Sequence, residues 1–119
     1  MAVLRHMLKS KIHGAIITGK ELHYNGSIGI YKALLAEADI VAGEKVQVLN
    51  FNNGVRFETY AIEEESSRSI VLYGPAARCA EVGDKICIIS YISATDEDIK
   101  KIKAKTVFAD ENNRVIKTK

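Results

Sequence analysis

Residues 46 to 62 constrain the fold more than any other stretch, because two alternating segments meet there at an Asn-Gly pair. Val46, Val48 and Asn50 alternate with Gln47, Leu49 and Phe51. Asn53-Gly54 then offers the positive-φ residues of a tight hairpin turn leading into Val55 to Ile62. Side chains alternate across a strand with a period of two, so Val55, Phe57, Thr59 and Ala61 share one face. Arg56, Glu58 and Tyr60 share the other.

The rest of the chain repeats this grammar in short pieces. Lys11 to Thr18 is rich in β-branched residues and reads as a strand, GKELHYNGS carries turn signals, and Ser27 to Ile30 resumes a strand. Residues 31 to 40 place Ala33, Leu34, Leu35 and Ala38 at helical spacing, with Gly43 ending the helix. After the polar stretch EEESSRS come strands at Ile70 to Tyr73 and Lys85 to Ser93, separated by a turn or one helical turn in GPAARCAEVGD. Thr95 caps a second helix expected through DEDIKKIKAK, and TVFADENNRVIK reads as a last hairpin. Many short strands with one or two short helices predict a mainly β fold, closed into a barrel to avoid exposed edges.

At 119 residues, 47% hydrophobic and 27% charged, the chain reads as a single domain over residues 1–119. A net charge of +2 with no long basic block argues against nucleic acid as a partner. No apolar run is long enough for a membrane span and no secretory signal is evident, so a cytoplasmic location is expected. Cys79 and Cys87 lack a CxxC spacing and read as buried free thiols, and His6, His13 and His23 lack metal-ligand spacing; no metal is expected.

The chemistry concentrates in His23-Tyr24-Asn25-Gly26-Ser27. Alone, Asn25-Gly26-Ser27 is a plain tight turn. A Gly-Ser bond can also rearrange if the serine hydroxyl is driven onto the preceding carbonyl carbon, and glycine there tolerates a strained turn that exposes that carbonyl. The resulting ester can eliminate, leaving a carboxylate on Gly26 and a dehydroalanine that hydrolyses to a pyruvoyl group.

The words MLKSKIH (7 to 13), LHYNGSI (22 to 28), NNGVRFETYAI (52 to 62), Gly74-Pro75-Ala76-Ala77-Arg78 and GDKICIISY (83 to 91) occur in the order and spacing of bacterial aspartate α-decarboxylases. The chain resembles that family over nearly its whole length. The resemblance implies a double-psi β-barrel and a homotetramer with active sites at subunit interfaces. It also implies decarboxylation of L-aspartate to β-alanine for pantothenate and coenzyme A biosynthesis. Self-cleavage between residues 26 and 27 would leave a short 1–26 chain and a 27–119 chain bearing the pyruvoyl group. By position, Ser27 matches the pyruvoyl precursor, Gly26 the new C-terminus, Thr59 the threonine that assists cleavage, and Tyr60 the proton donor. Arg56 and Lys11 match the substrate-carboxylate site, joined by the turn Gly74, Pro75 and Ala76, while His13, Tyr24 and Tyr73 match pocket-lining residues.

The residues suit those roles. Arg56 offers a planar fork for a carboxylate, Lys11 a point charge, and Tyr60 a phenolic proton. Each also has a plainer reading: a solvated Arg, a half-buried packing Tyr, a Thr chosen for its β-branch.

The chain departs from the family where Tyr73-Gly74-Pro75 stands in place of Asn-Gly-Ala, and where Leu49 replaces the tryptophan of some members. An inward Tyr73 would place its hydroxyl past the atom an amide polarises, so Tyr73→Asn is expected to accelerate cleavage or decarboxylation. Two other readings stay open: a non-enzymatic β-barrel interaction or nucleic-acid-binding module on the same scaffold, and a decarboxylase of another amino acid. The sequence also leaves open whether maturation needs a helper protein.

Overall fold

The computed structural model describes residues 2–119. The chain runs β1 (Arg5–Ile16), β2 (Gly19–Glu21), β3 (Ser27–Tyr31), α1 (Lys32–Ala38), β4 (Lys45–Asn50), β5 (Arg56–Glu64) and β6 (Ile70–Tyr73). A 3₁₀ turn (Gly74–Arg78), β7 (Lys85–Ala94), α2 (Asp96–Ile99), β8 (Lys105–Ala109) and β9 (Val115–Thr118) follow.

The hairpin forms where the alternation requires it. Val46 pairs with Thr59 and Val48 with Phe57, and Gly54, at φ 76°, donates its N–H to the Asn50 carbonyl. Asn53 adds a local bond from its side-chain oxygen to the Val55 N–H, the habit that makes Asn a turn residue. Val46, Val48 and Ala61 are buried, and Arg56, Glu58 and Tyr60 are exposed.

Strand order is β2-β6-β3-β5-β4-β7-β1-β8-β9. β1 and β2 are joined through Ile17 and Thr18, yet stand six positions apart in that order. Laid flat, six spacings would span roughly 29 Å, whereas three residue steps reach only about 11 Å. The sheet must therefore curl, and the β1–β2 link brings the β2 edge back toward β1 as a barrel. Bonds from the Ile17 N–H to Asp84 and the Thr18 N–H to Ile70 hold that corner. Inside lie Ile12, Ile28, Ile30, Leu34, Ile70, Leu72, Ile86, Ile88 and Val107, in one contiguous core.

Several sequence expectations shift. Gly19–Glu21, expected within a turn, is a strand, because β6 beside it supplies parallel partners. α1 ends at Asp39, which takes the left-handed conformation at φ 55° and donates its N–H back to Ala36, so Gly43 lies beyond the stop. Leu34, Leu35 and Ala38 are buried, but Ala33 faces out. Thr95 caps α2 through the Asp98 N–H as expected, yet α2 stops at Ile99. Its acidic first turn is exposed and none of its residues is buried, so nothing in the core extends it.

Candidate functional site

Ser27 opens β3, and the β-branched Ile28 and Ile30 behind it anchor that strand in the core. Antiparallel β6 flanks it on one side and parallel β5 on the other. Pairing on both edges leaves Ser27 1% exposed, with Oγ 3.5 Å from the Asn25 carbonyl oxygen, a weak local contact. Tyr73 is its register partner on β6.

Gly26, just before the strand, abuts a cavity of about 250 Å³ that is also lined by Phe57, Thr59, Pro75, Ala76 and Cys79. Cys79 is half-buried and Cys87 buried, so one of the two thiols is more accessible than its sequence suggested. Gly26 itself is not among the positive-φ glycines; Gly74 is, at φ 65°. A Cβ on Gly74 would stand 2.7 Å from the Tyr24 oxygen and 2.8 Å from the Gly26 N and Cα. The need for glycine expected at residue 26 thus falls at residue 74, whose bare backbone lets the 3₁₀ turn press against the Gly26-Ser27 link.

Across the link, the Tyr73 ring lies on the Tyr24 ring with centroids 4.9 Å apart. Its hydroxyl donates to Glu64 at 2.6 Å and so does not reach toward the Gly26 carbonyl. Burial, the hydrogen bond to Glu64 and that group's charge push the Tyr73 phenol up to about 12.

A second set of residues lies on the outer face of the sheet. Arg56 pairs with Leu49, Leu49 with Cys87 and Cys87 with His13, so one row crosses β5, β4, β7 and β1. Lys11 stands two residues along β1 from His13, on the same face. His13 packs between Phe51 at 5.4 Å and Phe108 at 5.5 Å. Burial, helped by the charges of Lys11 and Lys85, lowers its pKa, so it is a neutral imidazole at pH 7.

Thr59 and Tyr60 point to opposite sides, as the alternation required: Thr59 into the cavity beside Gly26, Tyr60 outward and 41% exposed. Gly29 pairs with Ile62, so Ser27, two residues from Gly29, shares a sheet face with Tyr60 and Glu64, each two residues from Ile62.

The structure therefore gathers Tyr24, Gly26, Ser27, Thr59, Tyr73, Gly74, Pro75 and Ala76 at one place, and sets Arg56, Lys11 and His13 in a row farther along the sheet, on the face that Ser27 shares with Tyr60. Sequence reasoning missed Glu64 by reading the acidic run as loop; carrying the period of two past Ile62 would have put it level with Tyr60. Among the described residues, no three His, Cys, Asp or Glu side chains gather as a metal site.

A family model described as aspartate decarboxylase matches residues 3–116. The chain belongs to the aspartate decarboxylase family. An aspartate 1-decarboxylase of Thermoanaerobacter pseudethanolicus is 56% identical over 113 residues, covering 94% of this chain and 97% of that protein. The aspartate 1-decarboxylase of Campylobacter jejuni is 51% identical over 93% of this chain and 88% of its own length. That of Clostridium novyi is 50% identical over 94% and 92%. In this aspartate decarboxylase, Tyr73 beside the Gly26-Ser27 link is held by the Glu64 carboxylate.

Proposed function

We propose that this protein decarboxylates L-aspartate to β-alanine and CO₂ at a pyruvoyl group made from Ser27, in support of pantothenate and coenzyme A biosynthesis. The observation that carries the reading is the crowding around Gly26-Ser27: Gly74 packed against it, Thr59 and a cavity beside it, and the serine buried at a strand start. A group made from Ser27 fits there, shielded by β5 and β6 yet next to open space.

Its formation needs no outside reagent but water. Ser27 Oγ attacks the Gly26 carbonyl carbon, the C–N bond breaks, and the amine takes the hydroxyl proton, giving an ester. Removal of the residue 27 Cα proton expels Gly26 as a carboxylate and leaves dehydroalanine. Water then adds and ammonia departs. Thr59, which lines the same cavity as Gly26, donates in this reading to the oxygen that gains charge in the first step. Residue 27 would hold the pyruvoyl group, whose ketone would supply an electrophile for the substrate amine and a sink for the electrons left by CO₂.

Arg56 and Lys11 hold the substrate's remaining carboxylate, and Tyr60, on the Ser27 face, returns the proton to the α-carbon. Neutral His13 lines the pocket without competing for the carboxylate. Arg56 and His13 lie in one row three strand spacings apart, roughly 14 Å between backbones, so Arg56 and the β1 groups would meet one substrate only through extended side chains. In keeping with the family resemblance, we place the complete site between subunits of a homotetramer and the enzyme in the cytoplasm.

Intact-mass spectrometry tests the reading. Aged wild-type protein should resolve into fragments 1–26 and 27–119, while Ser27→Ala stays whole. One unbroken wild-type mass would overturn the pyruvoyl assignment. Tyr60→Phe should still split yet fail to make β-alanine, and normal turnover would remove Tyr60 as the donor.

A further inference from the structure

Glu64 ends β5, half-buried, and its side chain lies across Gly29 of β3. A Cβ on Gly29 would stand 2.1 Å from Glu64 Oε2, 2.7 Å from Cδ and 2.8 Å from Cγ, so the space above that glycine is filled by the carboxylate. Past Gly29, Oε2 accepts the Tyr73 hydroxyl at 2.6 Å. One side chain thus starts on β5, crosses the strand that begins with Ser27, and ends on β6. The distance is in the range of a charge-assisted O–H to carboxylate bond.

Tyr73 carries this tether to the cleavage segment by two routes. Its ring lies on Tyr24, and its chain neighbour Gly74 backs the Tyr24 oxygen and the Gly26 N and Cα. Tyr24 is otherwise 60% exposed, so its ring has little besides Tyr73 to fix it. The phenol, held up at about 12, keeps its proton at neutral pH and stays a donor.

We propose that Glu64 is a positioning residue for the break between Gly26 and Ser27, acting through Tyr73 to hold residues 24–26 in the pose that Ser27 attacks. The inference rests on the reading that Ser27 cleaves the chain. Attack demands near-contact alignment, and a displacement of about 1 Å can cost a hundredfold in rate.

The test follows fresh precursor by intact mass in wild type, Glu64→Ala, Glu64→Gln, Tyr73→Phe, the Glu64→Ala/Tyr73→Phe double variant and Gly29→Ala. Glu64→Ala and Tyr73→Phe should each slow splitting by about tenfold or more. Glu64→Gln, which keeps a neutral acceptor, should fall between wild type and Glu64→Ala. The double variant should be no slower than Tyr73→Phe alone, because Glu64 has no other route in this scheme. Gly29→Ala pushes the carboxylate aside while leaving both partners intact, and should slow splitting as Glu64→Ala does. Phenolate absorbance adds a readout of the bond: the Tyr73 titration, raised by burial and by Glu64, should shift down in Glu64→Gln and be lost in Tyr73→Phe, while the partial rescue of splitting by Glu64→Gln over Glu64→Ala separates the bond from simple loosening.

Glu64→Ala splitting at the wild-type rate, or slowing that multiplies in the double variant, overturns the proposal while the Ser27 reading stands. A wild-type chain that never splits removes both, so the wild-type mass tells the two failures apart.

Discussion

Two glycines with similar backbone angles separate conformation from crowding. Gly54 sits at φ 76° with nothing within 4 Å of a would-be Cβ, whereas Gly74 sits at φ 65° with the Tyr24 oxygen 2.7 Å away. A left-handed non-glycine residue costs roughly 1–2 kcal/mol. Gly54→Ala should therefore lose about that much, measured by urea denaturation in a Ser27→Ala background. Gly74→Ala should lose more, and in wild type should also slow splitting, because its methyl group must displace Tyr24 or Gly26. Equal losses would show that the 3₁₀ turn is free to move off the link. Tyr73 gives a pH test at the same scale. Its folded pKa of about 12 lies above the ordinary 10, so the folded chain holds this proton more tightly than the unfolded one. The stability it adds is complete below about pH 10 and is lost as pH rises through about 12. The gap in urea midpoint between wild type and Tyr73→Phe should narrow across that window; a constant gap would show that the ring's packing, not the hydrogen bond, makes the difference. Side-chain chemistry alone favours an accelerating Tyr73→Asn, but that expectation needs a hydroxyl aimed at the link, and the hydroxyl is committed to Glu64.

Among the elements, the β8–β9 turn does the most tying. Buried Asn113, at φ 61°, bonds both the N–H and the carbonyl of Ile16 and the carbonyl of Arg68, while its own main-chain oxygen accepts the Tyr31 hydroxyl. It thereby joins the end of β1, the β5–β6 loop and the start of α1. Asn113→Ala leaves those buried groups unpartnered and should cost about 2–4 kcal/mol, read as a lower denaturant midpoint with unchanged slope. A loss under about 0.5 kcal/mol would mean that water replaces the amide. This clasp also shows what the sequence could and could not disclose. The β4–β5 hairpin was legible because Asn53-Gly54 and the alternation of Val46 to Ala61 are local signals that agree. β2, Asn113 and the Glu64–Tyr73 bond were not, since each depends on a partner on another strand or loop, and the Asp39 stop was hidden because an aspartate took the left-handed position expected of Gly43. In the site, LHYNGS and NGVRFETY marked Ser27, Arg56, Thr59 and Tyr60, while Glu64 lay concealed in a run of acids typical of a solvated loop.

For the whole molecule, the proposed sharing of a site between subunits has a consequence for mixed assemblies. If the substrate site joins Ser27 of one subunit to Arg56 of another, refolding a mixture of Ser27→Ala and Arg56→Ala chains should restore a fraction of wild-type β-alanine production. Neither variant should do so alone. No recovery, with mixed assemblies confirmed by mass, would place both residues in one subunit's site. If the chain is cut between Gly26 and Ser27 as proposed, the two pieces stay interleaved. β1 lies inside the sheet, paired with β7 along one edge and β8 along the other, and β2 is paired with β6. Residues 1–26 therefore cannot drift away once severed; they are knitted in by both strands. What changes is the order of the folding reaction. An intact precursor chain forms its barrel as a first-order event, whereas after scission two polymers must find each other again. Refolding yield of matured protein should thus fall on dilution far more steeply than that of Ser27→Ala, so that maturation trades a reversible fold for one that is assembled only once.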